Sequence, residues 1–296
     1  MSLDSFARID PALIDVVIPE DGYPDHLAAE DTYDALWDVC GSASRKFPDA
    51  MWIEPRDWAD RARENDKNHT HPMNFVDRFT NQQPTDECTT HSLTRNAEGA
   101  RNRMLGIIFP DGPKKDFRYE ESQRGSVWMA PLSVYAEANP RKNGGANVRQ
   151  VLEIAVRRGI LPEKIQPRDY GFKHQLQGTT GKGGKNASSG PWVAVKNFPQ
   201  GWQETSASFK PLEVIFPESW EQAVCLVLNG LLVSVGRNGH AIPWAQWMPD
   251  QQVMAYPDSY DVIRYDSLRT VKSAWSGAFA IATMTAPDDW MNPAPA

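Results

Sequence analysis

From Cys88 to Leu105 the apolar residues Leu93, Ala97, Ala100 and Met104 return every three or four positions, the spacing that lines one face of an α-helix. The pattern predicts a helix that begins at a cysteine, with Thr85 or Asp86 available as its cap. Pro131 opens a second, short apolar helix, LSVYAEA, that stops at Asn139-Pro140. A third follows Asn143-Gly144-Gly145, with Val148, Val151, Leu152, Ala155 and Val156 on one face and Gly159 as its stop. The run GTTGKGGKNASSG at 178–190 has no apolar anchor and reads as a flexible surface loop. It is no phosphate loop, because a Walker pattern ending at Gly184-Lys185 needs Gly in place of Thr179 and Ser or Thr in place of Asn186.

The period then changes. Ser219-Trp220-Glu221-Gln222 has the form of a capping box, opening a helix whose Trp220, Ala223, Val224, Val227 and Leu228 share a face and which ends at Gly230. Leu231 to Val235 reads as a strand, Asn238-Gly239 as a tight hairpin turn, and HAIPWAQW from His240 as the returning strand. A further turn at Met248-Pro249-Asp250-Gln251 brings VMAYPDSY back beside it. Counting out from that turn sets His240 opposite residue 258 or 259, so Asp258 is its expected cross-strand neighbour.

Residues 1–73, with scattered Pro, Asp and Glu and only short apolar runs, read as an extension wrapped on a compact body. That body divides into a helical part, 74–165, and a β-rich part, 166–296. The 296 residues carry 31 Lys+Arg against 38 Asp+Glu, a net charge of −7, which argues against a sequence-blind nucleic-acid binder needing a basic face. No window approaches the roughly 18 apolar residues that span a bilayer, and the start has neither a basic leader nor an apolar signal core. Three distant cysteines, Cys40, Cys88 and Cys225, make no disulfide framework, so a reducing, cytoplasmic setting is the expectation.

A cysteine at a helix start meets the positive end of the helix dipole, which favours thiolate. An imidazole with a carboxylate to fix its tautomer is the matching base. Cys88, His240 and Asp258 are therefore candidates for nucleophile, base and orienter. Taken singly, each has a blander reading: buried small hydrophobe, hairpin residue and turn former. His69-Thr70-His71 offers only two imidazoles with no third ligand nearby, so no metal and no cofactor is expected. His91, one turn after Cys88 on the same helix, lacks a residue to orient it, and Cys225 within AVCLVLN reads as core.

In order and spacing these residues resemble the papain-like cysteine peptidases. His240 and Asp258 lie about 150 and 170 residues after Cys88, near the roughly 130–150 that separate that family's cysteine from its His and Asn. Asn81-Gln82 precedes Cys88 as the family's Asn-Gln does, which implies Gln82 as the oxyanion-hole amide. Ser92 is similar to the family's helix serine, and Gly144-Gly145 to its Gly-Gly wall, where bare backbone pairs with an extended substrate. His240-Ala241 is similar to the family's His-Ala, and the resemblance implies Gly239 and Ala241 as substrate-binding residues. Pro257-Asp258-Ser259-Tyr260 stands where the family has Asn-Ser-Trp, with Tyr260 for the indole. Around the nucleophile only the cysteine is kept: Thr85-Asp86-Glu87-Cys88-Thr89 stands in the local signature's place. Asp86 and Glu87 raise the thiol's pKa if they point inward and cap the helix if they point outward.

The resemblance implies an α+β, two-lobed fold, a helical lobe and a β-barrel-like lobe with the site in the cleft. It also implies a thiol hydrolase of peptide or other amide bonds, with residues 1–73 as a pro-segment-like wrap. The competing expectation is a catalytically impaired papain-like module with a structural role among other proteins of an assembly. Divergent relatives without an export signal occur in bacteria and in phage particles, so a virion-associated place is the alternative to the cytoplasm. A peptidoglycan amidase is disfavoured because those compact families set the histidine far closer to the cysteine.

Overall fold

A computed structural model describes residues 9–15, 33–80, 88–114, 125–138, 146–163, 195, 198–237, 239–259 and 262–285. Eight α-helices and eight strands are seen among them: α1 (Tyr33–Cys40), β1 (Ser44–Lys46), α2 (Trp58–Asn68), α3 (Cys88–Met104), α4 (Pro131–Ala138), α5 (Val148–Arg158), α6 (Trp202–Ala207), β2 (Pro211–Phe216), α7 (Trp220–Leu228), β3 (Val233–Arg237), β4 (His240–Trp244), β5 (Gln246–Met248), β6 (Val253–Asp258), β7 (Val262–Ser267), α8 (Leu268–Ala274) and β8 (Ala280–Met284). The three helices expected in the first half are present, and Gly159 ends α5 in a conformation (φ 94°, ψ −177°) that a side chain cannot adopt without strain.

The fold is α+β with two lobes and, among the described residues, two main cores and a small third cluster around Met73, Val76 and Leu232. One core gathers Leu36 of α1, Leu93 and Ala97 of α3, Val134 of α4, and Val151, Leu152 and Ala155 of α5. The other gathers Val224 and Val227 of α7 with Val235, Ile242, Met254 and Val271 of the β-rich lobe. Between them lies the sheet β1-β2-β8, with β1 parallel and β8 antiparallel to β2. Its two-residue period divides the cores. Val214, Phe216 and Ile281 face the helical lobe, while Ile215, Ala280 and Ala282 face the other. The β-rich lobe, among the described residues, consists of small separate sheets rather than one closed barrel.

Helix α3 runs between the lobes, so its polar side is buried as well as its apolar stripe. That polar side is satisfied by the β lobe: Ser92 Oγ donates to Ser234 Oγ at 3.1 Å, Asn96 Nδ2 to the same oxygen at 3.1 Å, and the Ile281 amide to Asn96 Oδ1 at 3.0 Å. Farther along, Arg95 pairs with Glu98, whose Oε1 also accepts the Met129 amide at 2.6 Å. Arg78 pairs with Glu163 at 2.7 Å, its guanidinium 3.8 Å from the centre of the Trp128 ring. The buried charges of Arg78 and Glu163 are tolerated because they are paired.

Residues 33–80 are packed into this body: Leu36 is wholly buried, β1 extends the central sheet, and Trp58 packs edge-on against Trp220 and Trp247. Upstream, Ile14 forms a parallel bridge with Tyr265, and Asp15 Oδ1 accepts the Ser267 amide at 2.8 Å. No helix among the described residues is long and apolar enough to cross a membrane.

Two sequence expectations need correction. The strand expected over Leu231–Val235 runs instead over Val233–Arg237, because the ladder continues to the pair Arg237↔His240, with Gly239 at φ 76° just before the returning strand. The returning strand is also not one piece. β4 pairs with β3, and the chain passes at Ala245 into β5, which pairs with β6. Pro243 within β4 has no N–H to give to a second ladder. His240 and Asp258 are therefore not ladder partners; Asp258 pairs with Val262. Their side chains nevertheless meet.

Candidate functional site

Cys88 is the first residue of α3 and is fully buried. Its sulfur accepts the backbone N–H of Ala241 at 3.4 Å, so the residue next to His240 touches the thiol. The hydroxyl of Thr89 lies 3.8 Å from the sulfur and donates to the Ala146 carbonyl at 2.9 Å, tying the start of α3 to the approach to α5. The Asn147 side chain caps α5 by accepting the Gln150 amide at 2.7 Å. The helix dipole and the Ala241 N–H both place partial positive charge at the sulfur, where a thiolate would form.

On the facing lobe, His240 Nε2 lies 2.9 Å from Asp258 Oδ1. A carboxylate accepts only, so Nε2 is the donor in this contact and Nδ1 is left as the nitrogen that can exchange a proton with a neighbour. Asp258 is almost wholly buried, and the Ser259 hydroxyl donates to its Oδ1 at 3.4 Å. Burial alone would raise its pKa. The hydrogen bond to His240, the charge of that ring and the Arg264 guanidinium outweigh burial and hold it below the usual carboxylate range. Arg264 Nε stands 3.0 Å from Asp258 Oδ2. The sequence pattern alone does not single out Arg264; the signal it offers is the alternation of β7, which puts residues 262, 264 and 266 on one face.

Beside this group lies a second buried network. Arg237, opposite His240 in the hairpin, pairs with Asp266 at 2.6 Å and donates to the Tyr256 hydroxyl at 2.6 Å, while Trp244 Nε1 donates to Asp266 at 2.7 Å. Burial pushes Asp266 up to about 6.

Neither a family model nor a curated protein matches this sequence. Solved structures do match. Xylellain, a cysteine protease from Xylella fastidiosa, aligns with a TM-score of 0.50 at 12% identity, over 70% of this chain and 82% of that one. The fold is papain-like. Two others are digestive procathepsin L 3 of Tenebrio molitor larval midgut, with a TM-score of 0.48 at 11% identity over 72% of this chain and 67% of that one, and procathepsin B S9 from Trypanosoma congolense, with 0.46 at 9% over 85% and 89%. At such identities the likeness is one of fold.

Of the expected site residues of this papain-like chain, Cys88, His240, Ala241 and Asp258 come together across the lobes. Gly239 forms the turn before His240. Gln82, Gly144, Gly145 and Tyr260 lie outside the described residues, as do Asp86, Glu87 and the 178–190 run. His91 is buried in α3, and His71 Nε2 pairs with Asp66 at 2.5 Å, away from the site. Cys225, in α7, has its sulfur 3.4 Å from both the amide and the carbonyl of Ile53.

Proposed function

We propose that this chain is a papain-like thiol hydrolase acting on peptide or other amide bonds of a peptide or protein substrate. The observation that carries the reading is a single linkage: the thiol at the start of α3 holds the N–H of Ala241, and the neighbouring His240 is oriented by Asp258 at 2.9 Å. His240 Nδ1 takes the proton of Cys88, and the thiolate attacks the carbonyl carbon of the scissile amide. The tetrahedral oxyanion is met by the backbone N–H of Cys88 and, by resemblance, the amide of Gln82. The imidazolium then protonates the leaving amine, and water releases the acyl group from sulfur by the same base. Gly144, Gly145, Gly239, Ala241 and Tyr260 are assigned to the substrate cleft by the same resemblance.

The test is alkylation of native protein by iodoacetamide with peptide mapping, paired with hydrolysis of a fluorogenic peptide mixture. Labelling at Cys88 lost in His240→Gln, and turnover lost in Cys88→Ala, support the reading. Labelling indifferent to His240 refutes it.

A second reading is favoured by the burial of Cys88, His240 and Asp258, each nearly closed to solvent. In it the fold is a structural or interaction module of an assembly, virion-associated if phage-encoded. Copurification in a stoichiometric assembly, with function kept in Cys88→Ala, would decide for it. The same burial suits a covered cleft. Because residues from Leu36 onward are part of the core, a removable pro-segment within 1–73 would be confined to the chain before Tyr33.

A further inference from the structure

The pleat of β6 puts Tyr256 and Asp258 on one face, and the register Asp258↔Val262, Tyr256↔Arg264 places Arg264 diagonally across from Asp258. The two oxygens of Asp258 are divided between two partners: Oδ1 is 2.9 Å from His240 Nε2, and Oδ2 is 3.0 Å from Arg264 Nε. The Nε–H is off line for a hydrogen bond to Oδ2, so this contact works through charge. The Asp258 side chain is wholly buried and that of Arg264 only 19% exposed, so solvent screens the pair weakly.

A carboxylate alone beside an imidazole favours imidazolium. That suits half of a hydrolytic cycle only, since the ring must also accept a proton from the thiol and from water. Among the described residues, the other charged groups near the ring do not correct the imbalance. Arg237, across the hairpin, is matched by Asp266 and bonded to Tyr256, and α3 brings Cys88 itself, with His91 one turn on. Arg264 is the cation placed on Asp258.

We infer that Arg264 is a positioning residue that makes Asp258 a charge-neutral orienter: the pair presents an acceptor to His240 Nε2 while its net charge near the ring stays close to zero. It does the work an uncharged amide would do at that place. The consequence for turnover rests on the hydrolase reading; the charge balance does not.

The experiment is an NMR titration of histidine-labelled full-length protein, with His240 signals identified by their loss in His240→Gln. Wild type is compared with Arg264→Met, Asp258→Asn and the double variant. Arg264→Met is expected to raise the His240 midpoint and Asp258→Asn to lower it, each by roughly one pH unit for a single uncompensated charge at this range. The double variant returns to within a few tenths of a unit of wild type. Arg264→Lys keeps the charge and the wild-type midpoint, so the inference stays testable if Arg264→Met does not fold. A residue that merely packs would leave the midpoint in place. Midpoints unmoved by Arg264→Met, single variants shifting in the same direction, or a double variant that does not return would each overturn the inference. Opposite shifts that cancel, in a protein whose Cys88 proves inert to iodoacetamide, would leave it standing and remove only the hydrolase reading.

Discussion

The amide of Ala241 donates to the sulfur of Cys88 at 3.4 Å, joining the first residue of the central helix to the strand that carries His240. This contact spans the two lobes, and what sets Cys88 apart from Cys225, whose sulfur also meets a backbone amide, is that its donor is the residue next to His240. Burial pushes Cys40 up to about 12, and burial likewise raises Cys225 despite its contact with the Ile53 amide. At neutral pH, brief iodoacetamide treatment of native protein is therefore expected to modify Cys88 alone. His240→Gln is expected to slow that reaction by on the order of 10²-fold, the lower end of what a positioned base contributes. Peptide mapping by mass spectrometry reads both outcomes, and equal labelling of all three cysteines would sink the assignment.

Asp258 supplies a pH signature of stability. Its pKa is lower in the folded protein than in the unfolded chain, because the partnership with His240 and Arg264 outweighs burial. A group of that kind stabilises the fold above its unfolded value and loses the contribution as pH falls through the folded one. The stability gap between wild type and Asp258→Asn is thus expected to be level from neutral pH down to about 4 and to close below it. Urea denaturation of both proteins at a series of pH values measures the gap. A gap that widened in acid would mean that the carboxylate is not held ionised.

Much of this was legible beforehand. The spacing of Leu93, Ala97 and Ala100 gave the central helix, Gly159 its neighbour's end, and Gly239 the hairpin that delivers His240. What escaped was set by tertiary partners. The sequence shows which residues of α3 are apolar. It does not show that Ser92, Asn96 and Glu98 are buried too, since their partners Ser234, the Ile281 amide and the Met129 amide lie far along the chain. The sequence pattern predicts contact of His240 with Asp258 through a shared ladder, whereas β4 pairs with β3 and β6 with β5 and β7. Two strands of different sheets, β4 and β6, face each other, so side chains meet where backbone does not. The place of Arg264 is not evident in the sequence, because an arginine on a strand reads as surface until its carboxylate partner is known.

Within α3, Glu98 carries a titration of opposite sign. Burial pushes its pKa up to about 8, against the pull of Arg95 and Arg78. A carboxyl raised on folding stabilises the protein below its ordinary value of 4.5 and gives up that contribution as pH climbs toward about 8. Wild type is expected to lose stability relative to Glu98→Gln between pH 5 and pH 8, about the span of that shift. Melting temperatures of the two proteins across this range provide the check, and parallel curves would contradict it.

Gly159 closes α5 at φ 94°, in a region open to glycine, and lies directly on the backbone of α6: a Cβ built there would come within 1.8 Å of the Ser206 carbonyl oxygen. Neither problem has a cheap remedy, since the obstacle is main chain and not the movable tip of a side chain. The Ile160 amide, just beyond, donates to the Phe209 carbonyl at 3.0 Å, so the chain cannot swing away without breaking that bond. Gly159→Ala is expected to destabilise the fold by at least ~1–3 kcal/mol from the backbone conformation alone, with the clash adding to it. Gly99 offers the contrast: its added Cβ would meet Leu232 Cδ1 at 2.0 Å, the end of a flexible side chain that can move to another rotamer. Chemical denaturation of the two variants side by side should rank Gly159→Ala as the more damaging, and the reverse order would show that the α5–α6 junction yields more easily than the packing of α3 on the β lobe.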